Sequence, residues 1–214
     1  MIRSVIGSYS DLRARLYCRL RFQILRQRFL EEIGQYLPFE GSVVDIGCGF
    51  GLFGLYFGIT RPGIHLVGLD KQPRRIEMAR AAASHLNVHN VRFEVSDAEI
   101  YVPAEPIHAA YMMDILHHIP RPAAYSLLSA LASKLAPGGR LVIKDIETTP
   151  GYKRWFTWAL DKGMDWRAPV DYWNTIDVKS LLTSLGLSVV KHSMVDYLPY
   201  PHVIYVATKR PSLD

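Results

Sequence analysis

Apolar side chains recur at helical spacing from residue 11 to residue 36. Leu12, Leu16, Leu20 and Ile24 step by four, and Phe22, Leu25, Phe29 and Ile33 form a second row. This pattern predicts one helix over 11–36. Asp11 or Ser10 can cap its start, and Gly34 and Pro38 mark its end. Beyond it, short apolar runs alternate with helical stretches. Strands are predicted at 42–47, 64–70, 91–97, 107–116 and 140–146, and helices at 50–60, 72–86 and 121–135. Pro73 falls in the first turn of its helix, where a missing amide donor matters least. An irregular aromatic stretch occupies 147–174. A last helix at 177–186 precedes two strands, 187–195 and 202–210, joined by the Pro-rich link YLPYP.

Strand alternating with helix predicts a doubly wound α/β fold, a mostly parallel seven-stranded sheet with helices on both faces. The last two strands have no helix between them, so they pair as antiparallel neighbours at one edge. The chain then divides into a leader, 1–38, and a body, 39–214. Neither an internal repeat nor a low-complexity tract occurs.

Composition narrows the class. With 49% apolar residues in 214, the chain can bury a sizeable core, and its length suits one domain. No apolar run approaches the roughly 20 residues of a membrane span, and the first residues lack the pattern of a secretory signal. Cys18 and Cys48 have neither a CxxC partner nor a histidine at ligand spacing. Two free thiols in a cytoplasmic protein, and no metal, are expected. The charge of +5 is unevenly spread. Residues 1–30 hold seven arginines and one acid, Asp11, a net +6 that leaves the remainder at −1. A neutral body excludes a globally basic nucleic-acid binder and favours one local anionic contact.

The strongest chemical signal is VVDIGCGFG, residues 43–51. A glycine turn between a first strand and a first helix lets a ligand approach the backbone closely. The dinucleotide fingerprint G-x-G-x-x-G is not met; Gly47, Gly49 and Gly51 follow G-x-G-x-G, with Gly54 a loose further match. Asp70 ends the second strand, 23 residues after Gly47, where an acid can accept hydrogen bonds from both hydroxyls of a ribose. Asp97 ends the third, where an acid can meet an adenine amino group. Each acid also has a plainer reading, as a cap or turn at a strand end.

Together with LVGLD (66–70), VRFEVSDA (91–98), AYMMDILHHIP (110–120) and LAPGGRLVIKD (135–145), this motif resembles the class I S-adenosylmethionine-dependent methyltransferases. Five elements agree in order over 43–145, and Asp45 to Gly51 match the family's E/D-x-G-x-G-x-G core. DILHHI looks most like the branch acting on small molecules and lipids. The resemblance implies a Rossmann-like methyltransferase fold with an antiparallel C-terminal edge, and S-adenosylmethionine as cofactor. It implies that Gly47, Cys48, Gly49 and Gly51 line the cofactor and that Asp45 orients its methionine amino group. It implies further that Asp70 and Lys71 meet the ribose, Asp97 and Ala98 the adenine, and Asp114 and Ile115 the methionine end. The Cys48 thiol itself is expected to pack, since it has neither a base nor a positive charge beside it.

Methyl transfer from a sulfonium needs position and a dry site, and a general base only for some acceptors. His117 and His118, just after the fourth strand, are the candidate bases; Asp145 and Glu147, after the fifth, are second candidates. His192 and His202 are expected to be structural. Tyr152, Trp155, Trp158 and Trp166, with Phe156, Tyr172 and Trp173, can wall an apolar acceptor pocket; the competing reading is a packed helix that completes the core. The expected acceptor is a lipid, an acyl intermediate or an aromatic natural product. The leader has three open readings: a cover over the sheet, a contact with an anionic membrane surface or acidic carrier, or a grip on nucleic-acid phosphates. The expected location is cytoplasmic, with peripheral membrane contact open. Rival functions are an RNA methyltransferase, an NAD-dependent oxidoreductase and a binding module that kept the fold. The neutral body and DILH, where an N-P-P-[YF] tetrapeptide would stand, argue against nucleic acid.

Overall fold

A computed structural model describes residues 1–24, 27–146, 171–193 and 202–211. The strands are β1 (Glu40–Ile46), β2 (Gly63–Asp70), β3 (Val91–Val95), β4 (Ile107–Met113), β5 (Leu135–Ile146), β6 (Leu187–Ser193) and β7 (His202–Lys209). Among the described residues they form one sheet in the order β3-β2-β1-β4-β5-β7-β6. The chain packs as two compact units. One holds residues 1–98 and 107–110, the other 99–106 and 111–214, so β4 contributes to both.

In the first unit, β1, β2 and β3 are parallel, in a register that pairs Ile46 with Leu69 and Asp70 with Val95. The last four residues of β1 are all buried, as expected of a strand covered on both faces. Helix α4 (Leu52–Thr60) and helix α5 (Pro73–His85) pack on β2 and β3 and bury Leu55, Phe57, Ile76, Ala79 and Ala82. One ring, Phe93 of β3, explains two glycines. A Cβ on Gly51 would lie 2.5 Å from Phe93, and one on Gly68 2.6 Å from it. The glycine loop therefore rests directly on an aromatic floor.

In the leader, helix is described as α1 (Ile2–Gly7), α2 (Leu12–Ile24) and α3 (Gln27–Gly34). The stretch predicted as one helix over 11–36 is helical on both sides of residues 25–26, which lie outside the described residues. Asp11 caps α2, its Oδ1 accepting from the Arg13 and Ala14 amides at 2.7 and 3.0 Å. The row Leu12, Leu16, Leu20 faces solvent, while Ala14, Cys18 and Phe22 face inward.

In the second unit β7 lies between β5 and β6, antiparallel to both. Helix α6 (Arg121–Lys134) buries Leu127, Leu128 and Leu131, and helix α7 (Thr175–Ser184) buries Val178, Leu181 and Leu182. Asn174 caps α7 by accepting the Asp177 amide at 2.8 Å. Two strand bounds moved for local reasons. β4 stops at Met113 because Asp114 takes φ +55° and leaves the strand. β5 begins at Leu135 because that residue is already extended where α6 ends, so APGG continues a strand and is not a loop.

Candidate active site

The first unit gathers Asp45, Gly47, Cys48, Gly49, Gly51, Asp70, Lys71, Asp97 and Ala98 at the carboxyl ends of β1 to β3. The Cys48 amide donates to the Leu69 carbonyl at 2.8 Å, and Gly51 donates back to Cys48 at 2.9 Å, which closes the turn. Gly49 has φ +57°, and a Cβ added there would meet no protein atom within 4 Å. Gly49 thus faces open space in the way a closely approaching ligand needs. Asp70 fixes the same point. Its Oδ2 accepts the Gly49 amide at 3.0 Å and its Oδ1 the Gln72 amide at 2.8 Å, ahead of α5. No side chain caps α5, whose N-cap is Gln72, so Asp70 does not act as its helix cap; its two bonds tie the glycine loop to the turn before the helix. Arg75 stands 3.8 Å from the same carboxylate. The Ser96 amide donates to the Asp70 carbonyl at 3.1 Å, which sets the half-buried Asp97 and Ala98 beside the end of β2. Asp45 is buried; Lys71 is exposed.

Cys48 is buried as expected. Burial, then the charges of Asp45 and Asp70, push its thiol well above the usual range. It joins the site through its backbone only, since its Sγ–H is turned toward the Gly49 carbonyl.

The leader reaches this loop. The Tyr9 hydroxyl donates to the Phe50 carbonyl at 2.8 Å, and the Tyr17 and Phe50 rings lie 5.1 Å apart. Beside them is a cleft of about 390 Å³ lined by Asp11, Arg13, Phe50, Gln72, Arg74 and Arg75. Sequence reasoning gave Tyr9 no role; an isolated tyrosine in a polar stretch carries no local signal.

The second unit gathers Asp114, Ile115, His117, His118 and Asp145. A short 3₁₀ turn, Leu116–His118, presents the histidines. His117 is 1% exposed, its Nδ1 2.5 Å from Asp145 Oδ1, and its amide donates to Asp145 Oδ2 at 3.2 Å. One carboxylate thus holds both the ring and the backbone. Its ring lies 4.1 Å from that of the half-buried His118 and 5.1 Å from that of Tyr172. Lys144, also 1% exposed, was missed. Its ammonium donates to Asp114, and the Asp114 amide donates to the Lys144 carbonyl at 2.9 Å. The available signal was a lysine interrupting the apolar run of β5, LVIKDI.

Glu147, Tyr152, Trp155, Phe156, Trp158 and Trp166 lie outside the described residues. Tyr172 and Trp173 lie within them. Trp173 is buried under the Arg121 guanidinium, which stands 4.7 Å over its ring, so this tryptophan completes the core. His202 is buried in β7 and His192 is half-buried in β6. Among the described residues, no group of three or more His, Cys, Asp or Glu is placed to hold a metal.

The residues fit the cofactor expected from the sequence. S-adenosylmethionine has no phosphate and asks for a close backbone approach with acids near its ribose and adenine. Gly49 offers the first, and Asp70 and Asp97 are the acids.

Comparison with known proteins supports the same direction. The model of a family described as "Methyltransferase domain" matches residues 13–192. A ubiquinone biosynthesis O-methyltransferase of Xylella fastidiosa is 33% identical over 122 residues, 56% of this chain and 48% of the relative. Another, of Cereibacter sphaeroides, is 29% identical over 147 residues, 67% of this chain and 58% of the relative. The chain thus spans about half the length of the curated relatives it matches. An O-methyltransferase family protein from Burkholderia thailandensis superposes with a TM-score of 0.74 at 17% identity, over 95% of this chain and 61% of that one. A magnesium protoporphyrin IX methyltransferase of Synechocystis, with S-adenosylhomocysteine bound, superposes at 0.67 and 19% identity, over 88% and 84%. These two likenesses are of fold.

Proposed function

The chain belongs to the methyltransferase-domain family, and on that premise we propose that it transfers a methyl group from S-adenosylmethionine to a hydroxyl of a small, apolar or amphipathic acceptor. The observation that carries the reading is Gly49, open on its Cβ side and held by Asp70. The named O-methyltransferase relatives support the choice of acceptor atom. Nothing in the comparisons supports the RNA or nicotinamide alternatives.

When bound, the cofactor supplies a methyl group already activated on a sulfonium. The chain's part is position and proton handling. Asp70 accepts from the ribose hydroxyls while its other lone pairs keep the loop in place. Asp97 and Ala98 meet the adenine edge, Asp45 orients the amino group, and Asp114 and Ile115 serve the methionine end. Lys144 holds the Asp114 carboxylate. His117 Nε2 takes the proton of the acceptor hydroxyl, because its Nδ1–H is donated to Asp145, which steadies the cation that forms. His118 contacts the acceptor. In the same reading 147–174 walls the acceptor pocket through Tyr152, Trp155, Trp158 and Trp166. The leader, 1–38, meets an anionic membrane surface or an acidic carrier, and the protein works in the cytoplasm.

The test is twofold. Calorimetry with S-adenosylhomocysteine and with NADH is expected to show binding of the first alone. Labelled methyl transfer to phenols with and without an apolar tail is expected to favour the tailed ones. Binding of NADH in place of S-adenosylhomocysteine would end the reading.

A further inference from the structure

We propose that the outward face of α2 docks the protein on an anionic lipid bilayer. Leu12, Leu16 and Leu20 enter the acyl boundary, and Arg13, Arg15 and Arg19 sit at the phosphates. The inference rests on the reading above, in which the leader meets something anionic, and it names the partner.

The geometry carries it. An ordinary surface helix has one apolar stripe, turned to the core. Helix α2 has two. Ala14, Cys18 and Phe22 face inward, all buried. Leu12, Leu16 and Leu20 face out, 77%, 58% and 50% exposed. At i, i+4 and i+8 they form one row about 12 Å long. Arg13, Arg15 and Arg19 flank the row and are exposed. Arg15 is already set in place, its Nε donating to the Tyr9 carbonyl at 2.5 Å. Between row and arginines runs a groove of about 370 Å³ lined by Ile6, Leu12, Arg15, Leu16 and Arg19. An apolar floor with basic walls matches an acyl chain beneath a phosphate. Asp11, the one acid of residues 1–30, does not oppose this charge, since it is committed to the helix cap and to Arg74.

Charge decides among occupants. A second copy would bring two leaders of net +6 face to face. An RNA or an acidic protein would use the arginines and leave the leucines in water. A bilayer with anionic head groups uses both. No helix among the described residues is long and apolar enough to cross a membrane, so α2 lies in the interface.

The test is co-sedimentation of the full chain with phosphatidylcholine vesicles, with and without phosphatidylglycerol, at low and high salt. Two variants accompany it, Leu12→Gln/Leu16→Gln/Leu20→Gln and Arg13→Gln/Arg19→Gln. These side chains lie outside the core, and an unchanged melting temperature verifies that each variant folds. The chain is expected to bind vesicles holding phosphatidylglycerol and to release from them in salt, with either variant lowering partition at least about tenfold. Leucine substitution without effect would reduce docking to plain coulombic adsorption and overturn the proposal. So would absence of vesicle binding, or a concentration-dependent dimer abolished by the leucine variant. Calorimetry with S-adenosylhomocysteine on the same samples keeps the two readings apart. Vesicle binding without cofactor binding sinks methyl transfer and leaves docking standing.

Discussion

Asp70 shows how one carboxylate fixes two segments at once. Two amides, from Gly49 and Gln72, converge on it. Asp70→Ala is expected to weaken S-adenosylhomocysteine binding by about 1.5 kcal/mol or more, roughly tenfold. Calorimetry reads it, and unchanged affinity would remove Asp70 from the site. His117→Ala is expected to lower kcat about 100-fold with cofactor affinity nearly unchanged; equal turnover would leave the His117–Asp145 pair a structural one. Lys144 and Asp114 form a buried pair, so Lys144→Met strands a carboxylate and costs about 3–5 kcal/mol. A urea midpoint measures that loss, and adding Asp114→Asn should recover much of it. The thiols complete this scale. Burial holds Cys18 up to about 12 and Cys48 higher still. Neither should react with a thiol reagent at pH 8 until denaturant is added, when both should.

Elements were legible where periodicity and turn chemistry agreed. Pro73, in the first turn of α5, and β2, ending at Asp70, sit where the alternating runs put them. The leader was legible as a helix and illegible in orientation. Two apolar rows, Leu12-Leu16-Leu20 and Ala14-Cys18-Phe22, compete for one buried face, and periodicity cannot rank them. The smaller row is the buried one, with Phe22 packed 6.3 Å from the Phe53 ring of α4, while Tyr9 and Tyr17 occupy the space around Phe50. The His117–Asp145 and Lys144–Asp114 pairs were hidden for another reason, since each joins residues about thirty positions apart. At the start of α2, the Ala14 amide, then the Arg13 amide and the Arg74 charge, hold the Asp11 carboxyl below its usual range. Its folded pKa is therefore depressed. The cap contributes fully above the unfolded value of about 3.9 and is lost as pH falls through the folded one. Hydrogen exchange at the Ala14 amide should accelerate, relative to its intrinsic rate, across that window; in Asp11→Asn the step should vanish.

At the scale of the molecule, the seven strands were foreseen and so was the pairing of the last two. Insertion of β7 between β5 and β6 was not foreseen, because no local pattern tells a strand which edge to take. Ligand linkage belongs here too. S-adenosylhomocysteine at 100 times its Kd is expected to add about 2.7 kcal/mol and to raise the melting temperature by about 5–10 °C. In Asp70→Ala the same concentration should give a visibly smaller rise. The Tyr9 hydroxyl, bonded to the Phe50 carbonyl, has one more consequence. Clipping off residues 1–30 looks like a clean way to silence the leader, yet it also takes away a strut of the glycine loop. A shortened chain that lost cofactor and vesicles together would imitate allosteric communication where there is only shared carpentry. Tyr9→Phe, which leaves every outward side chain in place, separates the two losses.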